Sequence, residues 1–100
     1  MSYNSANNVS LESNEFAYVN LTAGTAIVKS GRGVLGNIII NSHSSGTLKI
    51  RDGLNGVAGL ICNTMSFTVG ERIVQLNGLV FGTGCYVEIG GTADLTIQYK

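Results

Sequence analysis

The sequence has no proline, no tryptophan and a single histidine, and it carries only six basic and six acidic side chains in 100 residues. Without proline, the usual blocker of an exposed sheet edge is gone, so any edge strand must be managed by pairing, covering or charge. Sparse, balanced charge creates no extended field, which argues against phosphate-driven nucleic-acid binding and against electrostatic attachment to an anionic membrane. No apolar stretch approaches the length needed to cross a bilayer as a helix. The first residues, Met1-Ser2-Tyr3-Asn4-Ser5, have neither the basic nor the apolar segment of a secretion signal. The protein is therefore expected to be made and kept in the cytoplasm, with Cys62 and Cys85 as free, buried thiols rather than a disulfide.

What is present is a strand-forming composition, rich in Gly, Thr, Ser, Asn, Val and Ile, at a length that fits one ordinary domain. Residues 1–15 are mostly Ser and Asn and too polar to pack on themselves. They read as an extended N-terminal arm whose apolar punctuation, Tyr3, Val9 and Leu11 with Phe16 behind them, is expected to dock on a neighbouring molecule. Residues 16–100 read as a single β domain.

Period-two alternation is open in several runs. Leu48 and Ile50 alternate with Lys49 and Arg51, and Met65, Phe67 and Val69 with Ser66 and Thr68. Cys85, Val87 and Ile89 alternate with Tyr86 and Glu88, and Ala93, Leu95, Ile97 and Tyr99 with Asp94, Thr96 and Gln98. Ile38-Ile39-Ile40 is apolar on both faces, so this strand is either central or meets another subunit through its outer face, with Ile39 a candidate contact. Leu79-Val80-Phe81 is ambiguous in register, and Leu79 and Phe81 are taken as further candidate contacts. Turn signals at residues 22–24, 30–33, 42–46, 52–56, 70–72, 77–78 and 90–91 divide the chain into about eight strands. The simplest architecture is an antiparallel β-sandwich, of which the jelly roll is one arrangement.

The motifs that look chemical have plainer readings. Gly31-Arg32-Gly33-Val34-Leu35-Gly36 matches the dinucleotide fingerprint, but β-branched residues follow where a helix would have to begin. It reads as a glycine turn entering a strand, with Gly36 relieving crowding. His43 lies among Ser42, Ser44 and Ser45, yet a nucleophile needs an oriented base and an oxyanion site on rigid elements, so a solvated turn histidine is expected. One His and two distant Cys do not make a closed zinc site. Asp52, Glu71, Glu88 and Asp94 fall at turns or on wet strand faces and read as solubilising charges. Tyr18, Tyr86 and Tyr99 would suit either a carbohydrate platform or ordinary packing, and packing is the expectation. Neither a catalytic residue nor a metal or cofactor site is expected.

Gly33-Val34-Leu35, Ile38-Ile39-Ile40-Asn41, the stretch Gly46-Thr47-Leu48-Lys49-Ile50-Arg51-Asp52, and the ending from Gly90-Gly91-Thr92 to Gln98-Tyr99 together give the chain its texture. Across residues 25–100 it resembles small β-sandwich virion proteins of tailed phages, the capsid decoration or cement proteins. Arg32 and Gly36 depart from the proline and histidine common in those relatives, so no role is carried over to them. The resemblance implies a homotrimer on the capsid surface that binds the major capsid protein and stabilises the head without enzyme chemistry. Tail-fibre domains share the texture, which makes a receptor-binding β-domain of the virion the alternative.

Overall fold

The computed structural model describes residues 16–100, and the arm with Tyr3, Val9 and Leu11 lies outside them. The described chain is all-β: β1 (Ala17–Leu21), β2 (Gly24–Ser30), β3 (Gly33–Asp52), β4 (Gly59–Ser66), β5 (Ile73–Val74), β6 (Leu79–Phe81) and β7 (Gly84–Tyr99). All seven join one antiparallel sheet. The expected strands at residues 34–40 and 48–50 turn out to be two ends of β3, and those at 85–89 and 93–99 two ends of β7.

Four long ribbons lie side by side. β3 and β7 pair along their whole length, from Leu35 opposite Tyr99 to Asp52 opposite Cys85. β1 and then β2 line the free edge of β7, while β4, β5 and β6 line the free edge of β3. Both edges break at the same level, between β1 and β2 and between β4 and β5. There the central ladder also loses register, between Ile40 and Ser42 and between Ser44 and Thr47. This common break is a waist that divides the sheet into two four-ribbon halves.

Chain connectivity shows that the sheet folds back on itself at the waist. Ser30 pairs with Gly84 at the far end of one half, whereas Gly33 pairs with Phe81 at the far end of the other. Three Cα steps separate Ser30 from Gly33, a reach of at most about 11 Å, and the same holds from Phe81 to Gly84. Each half is roughly eight residues long, about 26 Å of strand, so the two far ends can meet only if the halves lie over one another. Gly31 N–H bonds Thr83 O at 2.9 Å between these links. Leu35, Ile38, Leu95 and Ile97 from one half and Leu48, Ile50, Cys85 and Val87 from the other belong to one cluster with almost no exposed surface. That burial follows from the fold-back, because a flat sheet would leave this face bare.

Small residues make the bend. Ser42-His43-Ser44-Ser45-Gly46 and Gly90-Gly91, read from sequence as chain reversals, are instead the bent middles of continuous strands, facing each other with Ser44 opposite Thr92 and Thr47 opposite Gly90. Ser45 and Gly91 both take positive φ, 54° and 68°. A side chain at Gly91 would meet Ser45 O at 2.2 Å. Phe67 is buried, as its alternation predicts, although it follows the last residue of β4, and it would touch a Cβ at Gly46 at 2.9 Å. Val69, expected on the same dry face, is 99% exposed in a tight loop closed by Glu71 N–H to Thr68 O at 3.1 Å.

Gly91→Ala combines a disfavoured φ with a backbone collision and should cost about 1–3 kcal/mol. Gly70→Ala, also at positive φ but with nothing within 4 Å, should cost about 1 kcal/mol. Thermal unfolding of the two variants checks the order; equal losses would show that the bend does not depend on close approach.

Candidate functional site

Because the inner faces of both halves form the core, each half turns its outer face to solvent on an opposite side of the molecule. On the half containing β2 and β4, that face mixes charge with exposed aliphatic groups: Lys49 and Arg51 of β3 stand beside Glu88 of β7, with Ile27 of β2 and Leu60 of β4 exposed on either side. Arg51 Nε reaches Glu88 Oε2 at 2.6 Å and its Nη1 donates to Ala58 O at 2.7 Å. The Arg51 hydrogen bond holds the Glu88 carboxyl below the usual carboxylate range. Tyr86 lies between Ile27 and Arg51 on this side, with the loop at Gly56 passing close to its ring.

The other half presents a different chemistry. Ile39 of β3 pairs with Ile73 of β5, and Val34 with Val80 of β6. Ile39, Ile73 and Val80 are 38%, 51% and 56% exposed, large values for aliphatic side chains on a sheet. Phe16 reaches the same face: a Cβ at Gly36 would meet its ring at 3.2 Å and Gln98 Cβ at 3.2 Å. The missing side chain at Gly36 thus makes room for the ring, and Lys100 Nζ sits 5.7 Å from its centre. Tyr18, paired with Gln98, is 74% exposed.

Beside these apolar groups lies a network of neutral amides around one carboxylate. Asn20 Nδ2 donates to Asp94 Oδ1 at 2.7 Å and to Leu95 O at 3.0 Å. Asn41 Nδ2 donates to Asp94 Oδ1 at 3.2 Å and to Thr96 Oγ1 at 3.0 Å. Asp94 therefore organises side chains from β1 and β3 in addition to carrying charge.

The sequence-predicted contacts divide. Ile39 and Phe16 stand on the outer face as described. Phe81 does not: it is 0% exposed and belongs to the core. Leu79 pairs with buried Leu35 and packs against the same core. Alternation along β6 leaves Val80 as the outward member of that run. The register was hidden because β5 and β6 are two pieces of one edge strand, with Asn77 and Gly78 at positive φ between them, opposite an irregularity in β3. Ile73, Asn20 and Asn41 were not among the sequence candidates.

The chemical-looking motifs take structural positions. Gly31 is a positive-φ turn residue and Gly33 opens β3 against Phe81 and Lys100 O, with a strand where the dinucleotide reading needs a helix. His43 is half-buried at the waist. Its Nε2 must donate to Thr68 O at 2.9 Å, since a carbonyl only accepts, and Nδ1 faces the Gly46 N–H at 3.5 Å. Its ring meets Phe67 edge-on at 5.5 Å, so it fastens the loop across the waist rather than standing in solvent. A shallow groove of about 490 Å³ opens there between Asn41–Ser45 and residues 69–72. Among the described residues no three His, Cys, Asp or Glu side chains converge as metal ligands would. Cys62 and Cys85 are unpaired; Cys85 is buried, and burial with the nearby Asp52 charge pushes its thiol up to about 12, while Cys62 is only partly buried.

Asp52 closes the fold-back. Its carboxylate accepts the N–H groups of Gly82 at 2.9 Å, Thr83 at 2.7 Å and Gly84 at 3.3 Å, tying the end of β3 to the link between the two halves. The Gly82 and Thr83 bonds lower its pKa. A lowered folded-state pKa means stability that is complete above the unfolded value near 4 and lost as pH falls through the folded one. Asp52→Asn should therefore lower the melting temperature at neutral pH. The gap to the unsubstituted protein should shrink between about pH 5 and pH 2; a gap independent of pH would place its origin elsewhere.

In comparisons with known proteins, no family model matches the chain and no curated protein matches it.

Proposed function

We propose that this chain is a structural protein of a tailed-phage virion, a capsid decoration or cement protein whose folded sheet forms the two layers of a β-sandwich and binds the major capsid protein. The observation that carries the contact function is the exposure of Ile39, paired with exposed Ile73, and of Val80, paired with half-buried Val34, on one side of the molecule, next to Phe16. Exposed aliphatic side chains gathered on one sheet face mark a surface that another protein covers. The opposite side carries the Arg51–Glu88 ion pair between the exposed Ile27 and Leu60, so its aliphatic groups are interrupted by charge. The virion assignment itself draws on the resemblance across residues 25–100.

A trimer suits this role, because threefold symmetry repeats one modest patch three times against the lattice and multiplies weak contacts through effective concentration. Zero formal net charge limits repulsion among copies crowded on a shell.

The test combines light scattering with binding to purified phage heads. The protein should run as a trimer and co-sediment with expanded heads. Ile73→Lys with Val80→Lys, both at exposed positions, should leave folding within about 1 kcal/mol and weaken head binding by about tenfold or more per site. A strict monomer at high concentration, or unchanged head binding by the double variant, would sink the reading.

A further inference from the structure

We infer that residues 7–11 of one copy add as a strand to the free edge of β1 in the next copy, so that the arm is the fastening between subunits. The argument begins with the edges of the sheet. Among the described residues β1, β2, β4, β5 and β6 each have one side without a strand partner. Unpaired edges invite association, and proteins blunt them with charge, bulges or brevity. β2 carries Lys29 and a register shift between Ile27 and Lys29. β4 is shifted twice against β3, between Leu48 and Ile50 and between Ile50 and Arg51. β5 and β6 have two and three residues, with positive φ at Asn77 and Gly78 between them. β1 has none of these devices: its five residues, Ala17 to Leu21, are uncharged and pair one for one with β7. Among the described edges it is the one left open to a further strand, and its Tyr18 is 74% exposed.

The sequence before the described residues supplies the occupant. In residues 7–11, Asn-Asn-Val-Ser-Leu, Val9 and Leu11 alternate with Asn8 and Ser10, and neither proline nor charge interrupts the run. Laid antiparallel on β1 with Val9 beside Tyr18, the run covers the ring with an aliphatic side chain and pairs the outward backbone groups of the edge. Charge points the same way. The arm holds Glu12 and Glu15 and no Lys or Arg, which leaves six basic against four acidic side chains in residues 16–100. An acidic arm is drawn to a basic domain, whereas two such domains are not drawn to each other.

A hairpin back onto the arm's own β1 would need a tight turn at residues 12–16. Such turns take positive φ, and the sequence has no glycine before Gly24. The arm therefore goes to another copy, and its reach sets where that copy stands. Five Cα steps from Leu11 to Phe16 span at most about 18 Å, less than the 31 Å middle dimension of the domain. The β1 edges must gather about one axis, as a closed ring with each arm on the next edge requires. Ile39, Ile73 and Val80 lie on β3, β5 and β6, across β7 from this edge, and stay free for the capsid.

The inference takes from the functional reading only the presence of a trimer, and its test uses the full chain without heads. Val9→Cys with Tyr18→Cys, on a Cys62→Ser background with Cys85 buried, should under mild oxidation give a denaturing-gel ladder of chains linked to one another, ending at the trimer. Val9→Cys with Asn63→Cys, at an exposed position of β4, should give none. Val9→Pro alters no described residue and should weaken trimer association by at least about tenfold, while speeding amide exchange of residues 17–21 by a similar factor. Cross-linking within single chains, with the arm covering its own edge, would overturn the inference. So would equal cross-linking at Asn63, free thiols at both positions, or unchanged exchange in the proline variant. An intact cross-link with no head binding sinks the capsid reading alone, and head binding by a trimer that does not cross-link sinks this one alone.

Discussion

The structure depends on bending two paired strands at the same place. β3 and β7 run the length of the sheet, and the core exists only because both turn over together where Ser44 and Ser45 meet Gly91 and Thr92. A strand that bends alone breaks its ladder, since each residue's partner is left behind. Placing the irregularities of both strands at one level keeps the ladder intact on either side, and positive φ at Ser45 and Gly91 supplies the local change of direction. Everything placed at the waist is small or closes over it: Phe67 fills the space beside Gly46, and His43 pins the loop that carries Thr68. At the opposite end, Asp52 gathers the three amides of residues 82–84, so the fold-back is fastened at its open end as well as at its bend.

From this follows the division of surface chemistry. A folded sheet has two outer faces and no way to hide either, so the residue types at alternating positions decide which side is left to water. On one side Lys49, Arg51 and Glu88 place charge between the exposed Ile27 and Leu60. On the other the same alternation delivers Ile39, Thr96, Gln98 and Tyr18, and only Asp94 carries charge among the network residues. Uncharged β1, Ala17–Leu21, lies along that side with no proline to cap its edge. The asymmetry in charge is thus a property of the strand sequences themselves, since both faces expose aliphatic side chains.

Much of this was legible from period-two patterns. The alternation at Leu48 and Ile50 and from Cys85 to Ile97 names core residues that the structure places at or near zero exposure. The outward position of Ile39 followed from an apolar run too long for a single dry face. What sequence patterns could not supply was the meaning of Ser42 to Gly46 and of Gly90-Gly91, because small polar residues serve equally to end a strand and to bend one. The choice is made by the facing strand, about fifty residues away. The same holds for the acids: Asp52 and Asp94 look like solubilising charges until the amides of residues 82–84, or Asn20 and Asn41, are brought beside them.

Register is where single-strand reasoning fails most instructively. Leu79, Val80 and Phe81 are all apolar, so hydrophobicity alone cannot say which of them faces out. The answer is set by Gly33, whose missing side chain leaves room for the Phe81 ring: a Cβ there would lie 2.7 Å from Phe81 Cζ. With Phe81 locked inward, alternation turns Leu79 inward and Val80 outward, and the outer apolar patch gains a member from a strand of three residues. A glycine far away in sequence thereby selects which side chain the surface presents. The same logic operates at Gly36, where a second absent side chain admits Phe16 to the face that Ile39 and Tyr18 occupy.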